Sequence, residues 1–317
     1  MESTLIGLPE ILGARERLGA HVRRTPLVAA APQLQGIPAG RLWLKLESLQ
    51  VTGSFKARGA TNKVLGLTAE EAGRGLVTAS GGNHGLGVAF AGRLVGAPVT
   101  IVLPASAPAA KAARVERWGA RVVRVGTVWD EADAAARAMA GEGGATYIHA
   151  FADPAVIAGQ GTVGLEILED APEDLDLLLV AIGGGGLISG VATAAKALRP
   201  GLRVIGVEPI GAPTLTRCLE AGRLVELDRI TTEANTLAPR ATAALNLEII
   251  RRTVDSIVLV DDEEMRSAAR WLWFEMGVAC ELSGAAAVAA LLAGRVAAEG
   301  LRVAALVCGA GTDGVDG

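Results

Sequence analysis

Short apolar runs and segments of helical period alternate along this chain. The runs at Arg74–Thr78, Pro98–Leu103, Arg121–Val125, Leu177–Ile182, Arg203–Glu208 and Val303–Val307 are rich in Val, Ile and Leu. Their near-continuous hydrophobicity predicts strands buried on both faces. Ala-rich stretches of helical spacing lie between them, among them Gly85–Leu94, Ala109–Trp118, Trp129–Ala140 and Glu263–Met276. Strands alternating with helices predict an α/β protein with open, mostly parallel sheets flanked by helices. One set of these units falls within residues 48–151. A second takes residues 1–47 and 152–317, with Phe151-Ala-Asp-Pro-Ala as the crossing point. The expected organisation is therefore two lobes with a cleft between them.

Composition narrows the class. Half of the 317 residues are hydrophobic and a fifth are charged, which fits a folded enzyme and excludes a disordered chain. A formal charge of −4 gives no reason to expect nucleic acid or an anionic membrane as partner. Cys218, Cys280 and Cys308 are odd in number and widely spaced, which reads as reduced thiols rather than a disulfide framework or zinc site. The opening residues show no basic segment followed by an apolar run, so no signal peptide is expected and the cytoplasm is the expected location. No apolar stretch approaches the ~18 residues of a spanning helix.

Four segments carry candidate chemistry. In Lys45-Leu-Glu-Ser-Leu-Gln-Val-Thr-Gly-Ser-Phe-Lys-Ala-Arg-Gly-Ala, Lys56 follows Phe55 at what reads as a helix start after the Thr52-Gly53-Ser54 turn. Desolvation and the positive end of a helix dipole would favour its neutral amine, the form that makes a Schiff base. A surface lysine in a first helical turn is the commoner role for a lone lysine. Thr78-Ala-Ser-Gly-Gly-Asn-His-Gly follows a strand and opens a helix, which suits a carboxylate or phosphate, although Asn83 and His84 serve equally well as turn and cap residues. Ala181-Ile-Gly-Gly-Gly-Gly-Leu-Ile-Ser-Gly is a natural anion nest that fails the dinucleotide fingerprint in every register. The fourth segment, Ala304-Ala-Leu-Val-Cys-Gly-Ala-Gly-Thr-Asp, places Cys308 after a strand as a buried thiol or a weak contact to a cofactor.

In order and spacing, these segments resemble the fold type II pyridoxal-phosphate enzymes, specifically the serine/threonine dehydratase and serine racemase family, whose fold is like that of the tryptophan synthase β chain. The resemblance runs from Arg24-Thr-Pro-Leu to Cys308-Gly and includes Ile157-Ala-Gly-Gln-Gly-Thr, Gly206-Val-Glu-Pro and Glu281-Leu-Ser-Gly-Ala. It implies that Lys56 holds pyridoxal 5'-phosphate through a Schiff base, with Phe55 beside it and Asn83 on the ring hydroxyl. Ser80, Gly81, Gly82, Asn83 and His84 would receive the substrate carboxylate. Gly183, Gly184, Gly185, Gly186 and Leu187 would bind the phosphate, and Cys308 would face the pyridine nitrogen. The implied large lobe (1–47 and 152–317) binds the cofactor, and the small lobe (48–151) carries the Asn loop. The implied partners are a small amino-acid substrate and a second copy of the chain in a homodimer. The implied activity is dehydration and deamination of threonine or serine to a 2-oxo acid and ammonia.

Several positions depart from the family pattern. Racemases of the family carry a serine as second acid/base where this chain has Gly81, which favours dehydration. Relatives bind Mg²⁺ or Ca²⁺ with a glutamate and an aspartate; Glu208 is present, but Thr214 replaces the aspartate, so no metal is assigned and Glu208 stays a weak candidate. Gly309-Ala-Gly311 replaces the usual Gly-Gly-Asn. Arg240 lies in a divergent segment, as a surface residue or as a partner for an acidic substrate. No C-terminal regulatory domain follows Cys308 in this sequence, so feedback by isoleucine is not expected. The competing activities are serine racemisation and dehydration of 3-hydroxyaspartate or phenylserine. An NAD(P)-dependent oxidoreductase and a catalytically dead cofactor-binding protein are more distant alternatives.

Overall fold

The computed structural model describes residues 6–31, 37, 39–127 and 129–314. Among them, ten strands form two sheets. In chain order they are β1 (Leu27–Ala29), β2 (Arg41–Leu46), β3 (Leu76–Thr78), β4 (Val99–Leu103), β5 (Arg121–Arg124), β6 (Thr146–Tyr147), β7 (Leu177–Ala181), β8 (Arg203–Pro209), β9 (Ser256–Val260) and β10 (Arg302–Val307). The larger sheet has the order β1-β2-β10-β7-β8-β9 and the smaller β5-β4-β3-β6. Every pairing is parallel except β1 with β2. All six apolar runs read from the sequence are strands, and the α/β architecture is the one expected.

Burial explains the strand composition. All five residues of β7 are buried, as are Val303 to Val307 of β10, so neither face of the central strands can carry a solvated side chain. Helices Pro154–Asp170, Gly186–Leu198 and Leu282–Leu292 pack around them with small residues at the contacts. Gly190 shows why: a Cβ there would lie 2.3 Å from the Ile157 carbonyl oxygen of the neighbouring helix.

β2 breaks the apolar rule at Lys45, which is fully buried. Its Nζ donates to Glu166 Oε2 at 2.6 Å and to the Thr25 carbonyl at 2.7 Å. Arg58 completes the cluster, pairing with Glu47 Oε1 and Glu166 Oε1, each at 2.7 Å. Buried ions are tolerated when paired and fully hydrogen-bonded in this way. The cluster ties β2 and the turn after it to helices Lys56–Leu65 and Pro154–Asp170, fixing the root of the Lys56 segment.

Register then gathers the candidate chemistry. Because β2, β10 and β7 are parallel neighbours, their carboxyl ends open on one edge of the sheet. Those ends lead to the Lys56 turn, to Cys308 and to the glycine run. The carboxyl edge is where open α/β sheets bind ligands.

Candidate active site

Lys56 is held by the turn before it. Thr52 and Gly53 adopt left-handed conformations (φ 65° and 84°), reversing the chain so that Ser54 bridges Gly309. The Phe55 N–H donates to the Cys308 carbonyl at 3.3 Å, and the Ala310 N–H to the Gly53 carbonyl at 2.8 Å. The helix Lys56–Leu65 starts there, as expected. Lys56 Nζ donates to the Ala150 carbonyl at 2.7 Å. Part of the side chain opens on the cleft, yet burial brings its pKa down to about 8, against the weaker opposing pull of Cys308 and Glu281.

The glycine run leaves β7 and enters the helix Gly186–Leu198. A Cβ on Gly184 would lie 2.3 Å from Phe151 Cδ1, and one on Gly186 would lie 2.7 Å from the Phe151 carbonyl oxygen. Gly185 has a φ of 90°, which a side chain would strain. The run is pressed against Phe151 on one side, and its backbone lines the cleft on the other. Asn246 Nδ2 fastens Phe151 through its carbonyl at 3.0 Å, and Thr242 Oγ1 donates to the Gly184 carbonyl at 3.0 Å. Free N–H groups at a helix start make this a cradle for an anion.

Asn83 begins the helix Asn83–Val95 after β3, two residues before the expected start. Its Nδ2 donates to Glu281 Oε1 at 2.8 Å, and Thr236 Oγ1 donates to the same oxygen at 3.2 Å. Burial, reinforced by the Asp313 charge, pushes Glu281 up to about 7. His84 is buried with Nε2 donating to the Ile148 carbonyl at 2.9 Å; burial lowers it to about 3, so it stays neutral. The Cys308 thiol is buried, pushed well up by desolvation, and donates weakly to the Ser283 carbonyl at 3.7 Å.

The cleft brings together Phe55, Lys56, Asn83, Gly183 to Gly186, Leu187 and Cys308. Ser80, Gly81, Gly82 and His84 do not line it; they sit at its edge in the turn before the helix and in its first turn. Glu208 is committed elsewhere. Its oxygens accept from the N–H groups of Leu215 (2.7 Å) and Thr216 (2.9 Å) and from Thr216 Oγ1 (2.7 Å) at the start of the helix Thr214–Ala221. Among the described residues no group of three or more His, Cys, Asp or Glu side chains forms a metal site. Arg240 is exposed, donates to the Leu227 carbonyl at 2.9 Å and pairs with Glu226 at 3.1 Å, which is the surface role. Reading the sequence missed Phe151, Thr236, Leu237 and Glu281 as parts of the site. Phe151 and Glu281 lay in segments already noted, but the roles of all four depend on contacts across the fold.

A sequence model described as "Pyridoxal-phosphate dependent enzyme" matches residues 18–309. The L-threonine ammonia-lyase of Thermotoga maritima is 41% identical over 98% of this chain and 76% of its own length. The structure of maize serine racemase superposes with a TM-score of 0.91 at 34% identity, covering 97% of this chain and 95% of that one. The processed form of threonine deaminase isoform 2 from Solanum lycopersicum gives 0.89 at 32% identity, covering 97% and 88%. The cleft fits the cofactor these matches imply, since it offers a lysine amine with a depressed pKa and a side-chain-free cradle at a helix start. The chain belongs to the pyridoxal-phosphate dependent enzyme family.

Proposed function

We propose that this chain dehydrates and deaminates a small L-β-hydroxy amino acid, threonine or serine, to a 2-oxo acid and ammonia, with Lys56 at its centre. One observation carries the reading. The Lys56 amine, its pKa brought down to about 8, opens on the same cleft as the glycine run, Asn83 and Cys308. The similarity to L-threonine ammonia-lyase supports the choice of substrate.

Gly183 to Gly186 and Leu187 would hold the cofactor's phosphate through backbone N–H groups. Asn83 would offer an N–H to the ring hydroxyl, with Phe55 against the cofactor, and Lys56 Nζ would bind it covalently. Pyridoxal phosphate supplies there an electron sink for charge developing at the substrate Cα. The Cys308 thiol stays un-ionised, so it cannot supply the charge that would keep a ring nitrogen protonated. Such a restrained sink suits prompt loss of a β-substituent.

Lys56 Nζ would take the α-proton of the bound substrate. The same atom, then cationic, would return that proton to the departing hydroxyl. The turn Ser80–Gly82, with the N-terminal end of the helix Asn83–Val95, would receive the carboxylate. His84 would hold that turn to the Ile148 carbonyl rather than carry protons, because burial keeps it neutral.

Serine racemisation is the second reading, favoured by the likeness to maize serine racemase. Gly81 counts against it, since that position offers no side chain to deliver a proton to the opposite face of Cα. The test is 2-oxo acid release from L- and D-serine, L-threonine, L-threo-3-hydroxyaspartate and phenylserine, with chiral analysis of the remaining substrate. Pyruvate or 2-oxobutyrate from the L-isomers supports dehydration. Inverted substrate without oxo acid would replace it with racemisation.

A further inference from the structure

Glu281 is an acid bonded to the cleft residue Asn83 that the proposed chemistry leaves without a task. It sits at the N-cap of the helix Leu282–Leu292, where a short acidic side chain would accept from the first free backbone N–H groups, yet its carboxylate caps nothing there. Asp313 Oδ1 takes the Leu282 N–H instead, at 3.1 Å. Glu281 Oε1 instead accepts from Asn83 Nδ2 at 2.8 Å and from Thr236 Oγ1 at 3.2 Å. The terminal turn leaves room for it. A Cβ on Gly309 would stand 2.3 Å from Oε1, and one on Gly311 would stand 2.9 Å from Glu281 Cβ.

We propose that Glu281 is a positioning residue acting through Asn83, fixing which end of the Asn83 carboxamide faces the cofactor and setting a carboxylate beside its ring. The proposal rests on the functional reading above. An asparagine amide has two N–H donors on one atom and an acceptor on the other. A carboxylate only accepts, so it selects the orientation that turns Nδ2 toward Glu281. The second N–H on that nitrogen is then free for a ring oxygen. A glutamine at 281 removes the selection, because its amide both donates and accepts.

The charge acts as well. A carboxylate near a cationic nitrogen on Lys56 stabilises the protonated form. The ionisable groups that act on Glu281 or are acted on by it are Lys56, Cys280, Cys308, Arg114 and Asp313. Burial and Asp313 favour the protonated acid, while Arg114 favours the carboxylate. The balance places the change near pH 7, so the influence of Glu281 grows as the pH rises through that value.

The test follows the cofactor's visible band against pH, together with kcat/KM for L-threonine, in holoenzyme. The proteins are wild type, Glu281→Gln, Glu281→Asp, Asn83→Ala and the double variant Asn83→Ala/Glu281→Gln. Glu281→Gln should lower the pH at which the band titrates by about one unit and kcat/KM about tenfold. Glu281→Asp should give a smaller shift in the same direction; in the double variant the band shift should persist, because the charge acts on Lys56 directly, while kcat/KM should fall little below that of Asn83→Ala. A wild-type titration in Glu281→Gln, or a further tenfold loss of kcat/KM when Glu281→Gln is added to Asn83→Ala, would overturn the proposal. If Glu281→Gln does not fold, a wild-type titration in Glu281→Asp overturns it too. Failure of the functional reading looks different: wild type itself would then release no 2-oxo acid from L-threonine or L-serine, with or without the band.

Discussion

Phe55 and Cys308 are joined backbone to backbone, the Phe55 N–H donating to the Cys308 carbonyl at 3.3 Å. The bond holds the turn that carries Lys56 to the end of β10, so the amine and the thiol keep a fixed relation across the cleft. A covalent cofactor needs that constancy, because its two anchoring ends cannot drift apart without distorting the ring.

The pKa of Lys56 makes cofactor capture pH-dependent. Only the neutral amine attacks a carbonyl, and roughly a tenth of Lys56 is neutral at pH 7, against well under a thousandth for an unshifted lysine. The rate at which apoprotein regains the visible band should therefore rise through about pH 8 and level off above it. Stopped-flow absorbance from pH 6 to 10 measures it. A rate still climbing nearly tenfold per unit at pH 9 would show an ordinary lysine.

Gly184→Ala puts a methyl group 2.3 Å from Phe151 Cδ1. Overpacking of this kind costs about 1–3 kcal/mol, and the displaced turn should weaken cofactor binding at least tenfold. Thermal unfolding of the apoprotein and cofactor titration separate the two effects. Normal affinity in the variant would place the phosphate elsewhere.

Gly81→Ser supplies the absent second proton carrier. Its Cβ would meet Leu103 Cδ2 at 2.9 Å, the end of a flexible side chain, so the variant should fold at a cost of about 1 kcal/mol. D-serine should then accumulate from L-serine beside pyruvate, read by chiral chromatography.

Glu166→Ala strands Lys45 as a buried cation and leaves Arg58 with Glu47 as its remaining partner. Removing one partner from such a cluster costs about 3–5 kcal/mol, which denaturant titration should show as a lower midpoint. A loss under ~1 kcal/mol would mean that the cluster is solvated and does not anchor the Lys56 helix.

The apolar runs made the central strands legible, because a strand covered on both faces has no room for polar side chains. β2 escaped that signature. Arg41-Leu-Trp-Leu-Lys-Leu reads as mixed until Lys45 meets Glu166, 121 residues away in sequence. Local motifs revealed Lys56 and the glycine run, since a turn before a helix leaves a mark in adjacent residues. Phe151, Thr236 and Glu281 left no comparable mark. Each acts by touching a residue from a distant segment, and Glu281 resembles an ordinary N-cap acid until Asp313 is seen to take the backbone N–H. His84, expected in the loop that receives the substrate carboxylate, spends its Nε2 on the Ile148 carbonyl, a contact 64 residues away in sequence that the motif does not reveal.

The central claim is that Lys56, among five lysines in the chain, carries the cofactor. Borohydride reduction of the holoenzyme followed by peptide mass spectrometry tests it directly. The expected result is one pyridoxyl-phosphate adduct, on the peptide containing Lys56, and none on Lys45, Lys63, Lys111 or Lys196. An adduct on any of those four with Lys56 unmodified, or no adduct in protein that still makes 2-oxobutyrate from threonine, would contradict the account.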